Sequence, residues 1–77
     1  MTKFYQVYQC HSPSGGISAV DETRYSTSAE ASGVAEAMTG EVSEFVTFDV
    51  GGSKYQYPAY WAQGMREEKG TLFMELS

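Results

Sequence analysis

TSAEASGVAEAMTG, residues 27–40, is the stretch around which the rest of the chain has to be arranged. Thr27 precedes Glu30 by three residues, which is the spacing of a helix-capping box. One narrow face then holds the apolar residues at i, i+3, i+4 and i+7, namely Ala31, Val34, Ala35 and Met38. Because these side chains are small, the pattern predicts a helix that packs closely on a β-sheet. Gly40 predicts a left-handed helix end.

Two strand signals precede this helix. Residues 3–10, KFYQVYQC, carry apolar side chains at both odd and even positions, which predicts a central strand. Residues 17–25 predict a second strand, although Asp21 and Glu22 weaken its middle. Residues 12–16 lie between them and contain one proline and two glycines, so they predict a loop.

A β-hairpin is predicted after the helix. Residues 42–50 and 53–57 flank the pair Gly51-Gly52, which is typical of a two-residue type I′ turn. Such a turn fixes the register, with the following pairs: Val50 with Ser53, Asp49 with Lys54, Phe48 with Tyr55, Thr47 with Gln56, and Val46 with Tyr57. Opposite charges then meet on one face and aromatic residues on the other, as cross-strand pairs prefer. Tyr55 and Tyr57 are expected on the core face.

The remaining residues complete one domain, residues 1–77. Residues 59–70 show no clear period, and residues 66–70, REEKG, are typical of a solvated turn. Residues 71–76 alternate and predict a closing strand. The predicted fold class is α+β: an antiparallel sheet of four to five strands in ββαβββ order, with one helix packed across one face.

The charge distribution gives the main indication of function. The net charge is −5, and residues 21–49 hold seven acids against Arg24. This excess argues against direct binding to a phosphate backbone, which requires Lys and Arg, and favours a basic protein partner. Acidity that only keeps a small protein soluble is the open alternative. The candidate partner-binding residues are the acids Asp21, Glu22, Glu30, Glu36 and Glu41 and the interface aromatics Tyr60 and Trp61.

Catalytic and metal-binding signals are weak. Cys10 and His11 are the only Cys and His, and neighbours on a strand point to opposite faces, so no metal site, cofactor or nucleophile pair is expected. No catalytic motif occurs, so the chain is not expected to be an enzyme. A single cysteine favours a reducing compartment. Since no run of about 18 apolar residues exists, the expected location is the cytoplasm.

The layout resembles that of small, acidic, single-domain anti-CRISPR proteins of bacteriophages, particularly those that act on type I systems. The resemblance lies in ISAVDETRY running into TSAEASGVAEAMTG, the aromatic segments VSEFVTFDV and SKYQYPAY, and the apolar end TLFMELS. It implies a non-enzymatic, stoichiometric inhibitor. Such a protein binds a crRNA-guided surveillance complex or its nuclease and blocks DNA binding or cleavage in the host bacterial cell.

Two other classes remain open from the sequence. One is a small phage structural or assembly protein that self-associates through a sheet edge. The other is a small enzyme or metal-binding domain. An inhibitor should co-purify with a nucleoprotein partner, whereas an assembly protein should form large species on its own.

Overall fold

The structure is a computed structural model that describes residues 2–10 and 16–75, without the side chain of Val50. The elements are β1 (Thr2–Cys10), β2 (Ile17–Ala19), α1 (Ser28–Gly40), β3 (Val46–Val50), β4 (Ser53–Tyr57), β5 (Ala59–Glu68) and β6 (Thr71–Met74). The loop predicted at residues 12–16 and the end of the last predicted strand, Leu76, lie largely outside the described residues. The predicted α+β class, with one helix across an antiparallel sheet, is confirmed.

Four antiparallel strands form the main sheet in the order β2-β1-β5-β6. The predicted central position of β1 is confirmed. It pairs with β2 on one side and, from Thr2 opposite Glu67 to Cys10 opposite Ala59, with β5 on the other. The hairpin of β3 and β4 forms a separate two-stranded sheet. The domain therefore has one long central pair of strands, and α1 packs across that pair.

Strand β5 corrects the sequence prediction for residues 59–70. The predicted solvated turn at 66–70 is reduced to the two residues Lys69 and Gly70, and the order after the helix gains one strand. Tyr60 and Ala62 face α1, whereas Met65 lies on the other face and is buried. A strand with apolar groups on both faces has no period of two, which is why the alternation pattern missed it.

The second predicted strand, residues 17–25, is also shorter than expected. β2 ends at Ala19, and the Asp21 carboxylate accepts a hydrogen bond from the Thr23 N–H at 2.9 Å, which turns the chain away from the ladder. The chain returns at Tyr25, which exchanges two backbone hydrogen bonds of 2.8 Å with Tyr5 of β1. The two acids thus interrupt the strand.

The helix start is as predicted, but its end is not. Thr27 Oγ1 accepts a hydrogen bond from the Glu30 N–H at 3.2 Å and lies 3.0 Å from the Glu30 carboxylate. The prediction of a left-handed Gly40 was wrong, because Gly40 stays helical and the C-cap Glu41 has a right-handed φ of −87°. Hydrogen bonds between residues three apart satisfy the last helix carbonyls instead; the Glu41 N–H, for example, donates to the Met38 carbonyl.

The core lies between α1 and the β1–β5 pair. Val7, Ala31 and Ala35 are its buried centre, and Val34 and Met38 pack around them, so the predicted apolar face is confirmed. Ala31 is 0% exposed. Small side chains at these positions let the helix approach the sheet closely.

The opposite face of the main sheet is closed partly by a charged side chain. Phe4 is buried there, and the Arg24 guanidinium carbon lies 4.1 Å from the centre of its ring, a cation–π distance. Arg24 also donates a hydrogen bond of 3.1 Å to Glu67 on β5. This hydrogen bond, with the attraction between the charges, lowers the pKa of Glu67 and raises the pKa of Arg24.

This ion pair gives a testable pH dependence. We expect Arg24→Met to move the pKa of Glu67 back up towards its ordinary value, as followed by carboxyl ¹³C NMR titration. Because the folded pKa is lowered, the contribution of the pair is present above the unfolded pKa and is lost as the pH falls through the folded pKa. Arg24→Lys, which keeps the charge but loses the planar fork, should give an intermediate pKa. Identical Glu67 titration curves in all three proteins would contradict the pairing.

The hairpin has the predicted register at all five pairs, from Val46 opposite Tyr57 to Val50 opposite Ser53. Gly51 and Gly52 both have positive φ, 59° and 88°, as a type I′ turn requires. The expectation that Tyr55 and Tyr57 lie in the core was wrong. Tyr55 is 52% exposed and Tyr57 is half-buried outside the core cluster, because the hairpin stands apart from the sheet that α1 covers.

Valine at the turn should therefore damage the hairpin locally. We expect Gly51→Val or Gly52→Val to reduce the stability of the hairpin itself by about 1–2 kcal/mol, since a β-branched residue at positive φ is strained. NMR contacts between the rings of Phe48 and Tyr55 should be lost, while the melting temperature of the main sheet changes little. Gly33→Ala, at a helical position with open space, is the control and should keep those contacts. Unchanged ring contacts in both valine variants would contradict the turn assignment.

Candidate functional site

A groove separates one flank of α1 from strand β5. Its first part is a cavity of about 330 Å³. The residues that line this part are Ser32, Ala35, Glu36, Thr39, Tyr60, Trp61 and Ala62. The helix contributes small or polar side chains on this flank, and β5 contributes aromatic ones.

The groove continues towards the start of the helix. A second cavity, of about 520 Å³, shares Trp61 and Ala62 with the first. It is also lined by Tyr5, Ser28, Gln63, Gly64 and Glu75. Gly64 leaves room there, because a Cβ at that position would lie 3.7 Å from the Tyr5 ring. We call the two cavities together the α1–β5 groove.

The groove is negatively charged. Among the described residues that line it, Glu36 and Glu75 are acidic and none is Lys or Arg. Glu36 is exposed, and the Glu75 carboxylate lies 3.6 Å from the Lys3 ammonium at the surface. A partner in this groove would meet at least one carboxylate that makes no ion pair with the described residues.

Both predicted aromatic anchors line the groove, but from opposite faces of β5: Tyr60 faces α1, whereas the Trp61 side chain lies on the face of Met65. The Trp61 indole N–H donates to Gln63 Oε1 at 3.0 Å, and the Trp61 ring centre lies 6.4 Å from that of Tyr8. Gln63 Nε2 in turn donates to the Glu75 carbonyl at 3.0 Å. Tyr60 is half-buried and packs against the core. These contacts hold the β5 side of the groove in place.

The structure brings three of the seven predicted site residues together: Glu36, Tyr60 and Trp61. Glu30 has a structural role, since its carboxylate accepts hydrogen bonds from Ser26 and Thr27. At 100° per residue it lies about 120° around the helix from Glu36. The other acids, Asp21, Glu22 and Glu41, are exposed, and none of them lines the described groove.

Sequence reasoning missed the groove residues Gln63 and Glu75 and an exposed aromatic face on the hairpin. Phe48 stacks on Tyr55 with 5.7 Å between ring centres and also contacts Tyr57 at 5.7 Å. The alternation of residues 46–57 correctly predicted that these aromatic side chains share one face of the hairpin, but that face was expected to lie in the core. No local signal distinguishes an apolar hairpin face that is covered from one that stays exposed.

Neither a metal-binding cluster nor a membrane-spanning helix occurs among the described residues. Within residues 2–10 and 16–75, no three His, Cys, Asp or Glu side chains are grouped so that they could hold a metal ion. No helix in the described part of the chain combines the length and apolar character needed to cross a membrane. Comparison with protein-family models, curated proteins and solved structures finds no match.

Proposed function

We propose that this protein is a non-enzymatic inhibitor that binds a bacterial CRISPR–Cas surveillance complex, or its nuclease, in the cytoplasm of the host cell. In this proposal it blocks target DNA binding or cleavage by occupying a basic protein surface. The α1–β5 groove, with Glu36 and Glu75, provides the main contact. The proposal combines the resemblance in layout with the charge of this groove.

The observation that carries the proposal is the position of Glu36 beside Tyr60 and Trp61 in one groove. Tyr and Trp are enriched in protein-binding hot spots, and a partner that covers them would also remove water from the exposed Glu36 carboxylate beside them. The hydrogen bonds of Trp61 and Gln63 keep the β5 side of the groove rigid, which lowers the entropy lost on binding.

The charge supports a basic protein partner. The chain has ten acids and five Lys or Arg. A nucleic acid would be repelled by this excess, because its binding depends on neutralising phosphates with cations. A Cas surface that normally binds DNA is basic, so carboxylates can take the place of phosphates there.

Co-purification tests the proposal. Tagged protein is mixed with purified type I surveillance complexes and, separately, with their nuclease, and each mixture is separated by size-exclusion chromatography. We expect the protein to elute with one of these partners in fixed stoichiometry and to reduce the binding or cleavage of labelled target DNA. If it elutes alone from every mixture and leaves DNA binding and cleavage intact, the proposal is wrong.

A second candidate, a self-associating assembly protein, is favoured by strand β6. This edge strand exposes Leu72, Phe73 and Met74 by 45%, 39% and 40%. An exposed apolar edge is a template for pairing with another chain. Light scattering across a range of protein concentrations distinguishes the two functions, because large species formed by the protein alone would favour assembly and a constant monomer mass would favour inhibition.

A further inference from the structure

The direction of the backbone polar groups on β5 can be derived from its neighbours. Tyr5 of β1 exchanges both of its backbone hydrogen bonds with Tyr25, on the side away from β5. Gly64 lies opposite Tyr5, so its own N–H and C=O point away from β1 as well. The Glu75 N–H, which donates to the Gly64 carbonyl at 2.8 Å, confirms this direction.

The same direction applies to every second residue of the strand. Ala62 and Tyr60 therefore also point their N–H and C=O groups away from β1. Strand β6 ends at Met74, opposite Met65, and Glu75 reaches only Gly64. No strand of the described residues, 2–10 and 16–75, pairs with Tyr60 or Ala62 on this side, and this edge of β5 lies along the α1–β5 groove.

We propose that this edge, at Tyr60 and Ala62, takes up an extended segment of a partner protein that carries Lys or Arg, as a strand antiparallel to β5 and in line with β6. This inference rests on the proposed function, since it specifies how the same groove holds its partner. The main chain of the segment would bond to Tyr60 and Ala62, as in other cases of strand addition.

The side chains of the added strand explain the choice of a basic segment. A residue directly opposite Ala62 exchanges two hydrogen bonds with it and shares its face of the sheet. Ala62 packs against the core under α1, so that face is the helix face. Glu36 lies on the adjoining flank of the helix. A Lys or Arg at this position of the segment would therefore meet the Glu36 carboxylate.

A second copy of this chain fits the edge less well. Two β5 edges paired about a two-fold axis would place the acidic groove lining of one copy beside that of the other. Like charges across neighbouring strands are destabilising. The acidic lining of the groove thus favours a basic partner over self-pairing.

Amide hydrogen exchange measured by NMR tests the proposal with synthetic probes. In the free protein, we expect the amides of Tyr60 and Ala62 to exchange rapidly and those of Trp61 and Gln63, which face β1, to exchange slowly. An end-blocked peptide of alternating lysine and valine, KVKVKVK, should slow exchange at Tyr60 and Ala62 by about tenfold or more at saturation. The acidic peptide EVEVEVE should leave both amides rapid.

N-methylated peptides make the test specific for the main chain. Methyl groups on the lysine nitrogens should abolish the protection, because those N–H groups face β5. Methyl groups on the valine nitrogens should preserve it. The proposal is overturned if Tyr60 and Ala62 are already protected in the free protein, if KVKVKVK gives no protection, or if both methylated peptides act alike. Co-purification with a Cas partner despite such a result would leave the proposed function standing and remove only strand addition.

Discussion

Ala31→Asp should lower the melting temperature of the protein by about 12 °C or more. Ala31 is 0% exposed and packs in the cluster with Val7 and Ala35, so the new carboxylate would be buried without a partner. Such a burial costs about 3–5 kcal/mol. A chain of this length has a free energy of unfolding of roughly 4–12 kcal/mol, so the loss is between about a quarter and all of it. Thermal melting followed by circular dichroism measures the effect.

Ala37→Asp is the matched control, because Ala37 lies on the exposed side of the same helix. It changes the charge and the helix propensity in the same way and should cost only about 0.7 kcal/mol. The loss of stability for Val34→Asp should fall between these two. Val34 is half-buried, so the carboxylate of an Asp at this position can reach water. Equal melting temperatures for the Ala31 and Ala37 variants would show that α1 does not pack by the face described.

Glu36→Lys should weaken binding to the Cas partner by about tenfold or more at low salt, since it places a like charge against a basic surface. The difference from wild type should shrink as salt is raised, because exposed charges are screened over about 8–10 Å at physiological ionic strength. Fluorescence anisotropy of labelled protein, titrated with the complex at two salt concentrations, provides the affinities. Circular dichroism checks that the variant is folded.

Glu68→Lys is the control for net charge. It makes the same change in charge at an exposed residue about 26 Å along β5 from Tyr60. We expect it to bind like wild type. If the Glu36 and Glu68 variants weaken binding equally, only the total charge matters and the groove is not the contact. If neither weakens it, the exposed hairpin face of Phe48 and Tyr55 becomes the surface to examine.

Glu30→Lys should act on stability and not on binding. Its carboxylate accepts hydrogen bonds from Ser26 and Thr27 at the start of α1, where a negative charge also favours the helix dipole. We expect a loss of about 0.5–2 kcal/mol in the free energy of unfolding, measured by urea denaturation. An unchanged affinity for the partner together with this loss of stability would show that Glu30 caps the helix and does not take part in binding at the groove.

The elements that the sequence predicted well are those with local causes. The helix start depends on Thr27 and Glu30, three residues apart, and the hairpin register depends on Gly51 and Gly52. Strand β5 was missed because the contacts that place it, with β1 beside it in the sheet and α1 over one face, come from segments distant in the chain. For the same reason, no local pattern shows that the hairpin stands outside the core.

The candidate site was predicted in part. Tyr60 and Trp61 were selected by residue type and Glu36 by charge, but their meeting in one groove depends on how α1 lies over β5. The separation of Glu36 from Glu30, about 120° around one short helix, follows from the helical period alone. The edge of β5 at Ala62 could not be predicted, because it depends on which residues of β5 the described part of β6 pairs with.

Displacement of target DNA is the measurement to make first. A purified type I surveillance complex is titrated with wild-type protein, Glu36→Lys or Glu68→Lys in the presence of labelled target DNA. We predict that wild type and Glu68→Lys abolish DNA binding near one protein per binding site, and that Glu36→Lys requires at least about ten times more. DNA binding that persists in a large excess of the wild-type protein, with cleavage by the recruited nuclease also unaffected, would contradict the proposed inhibition.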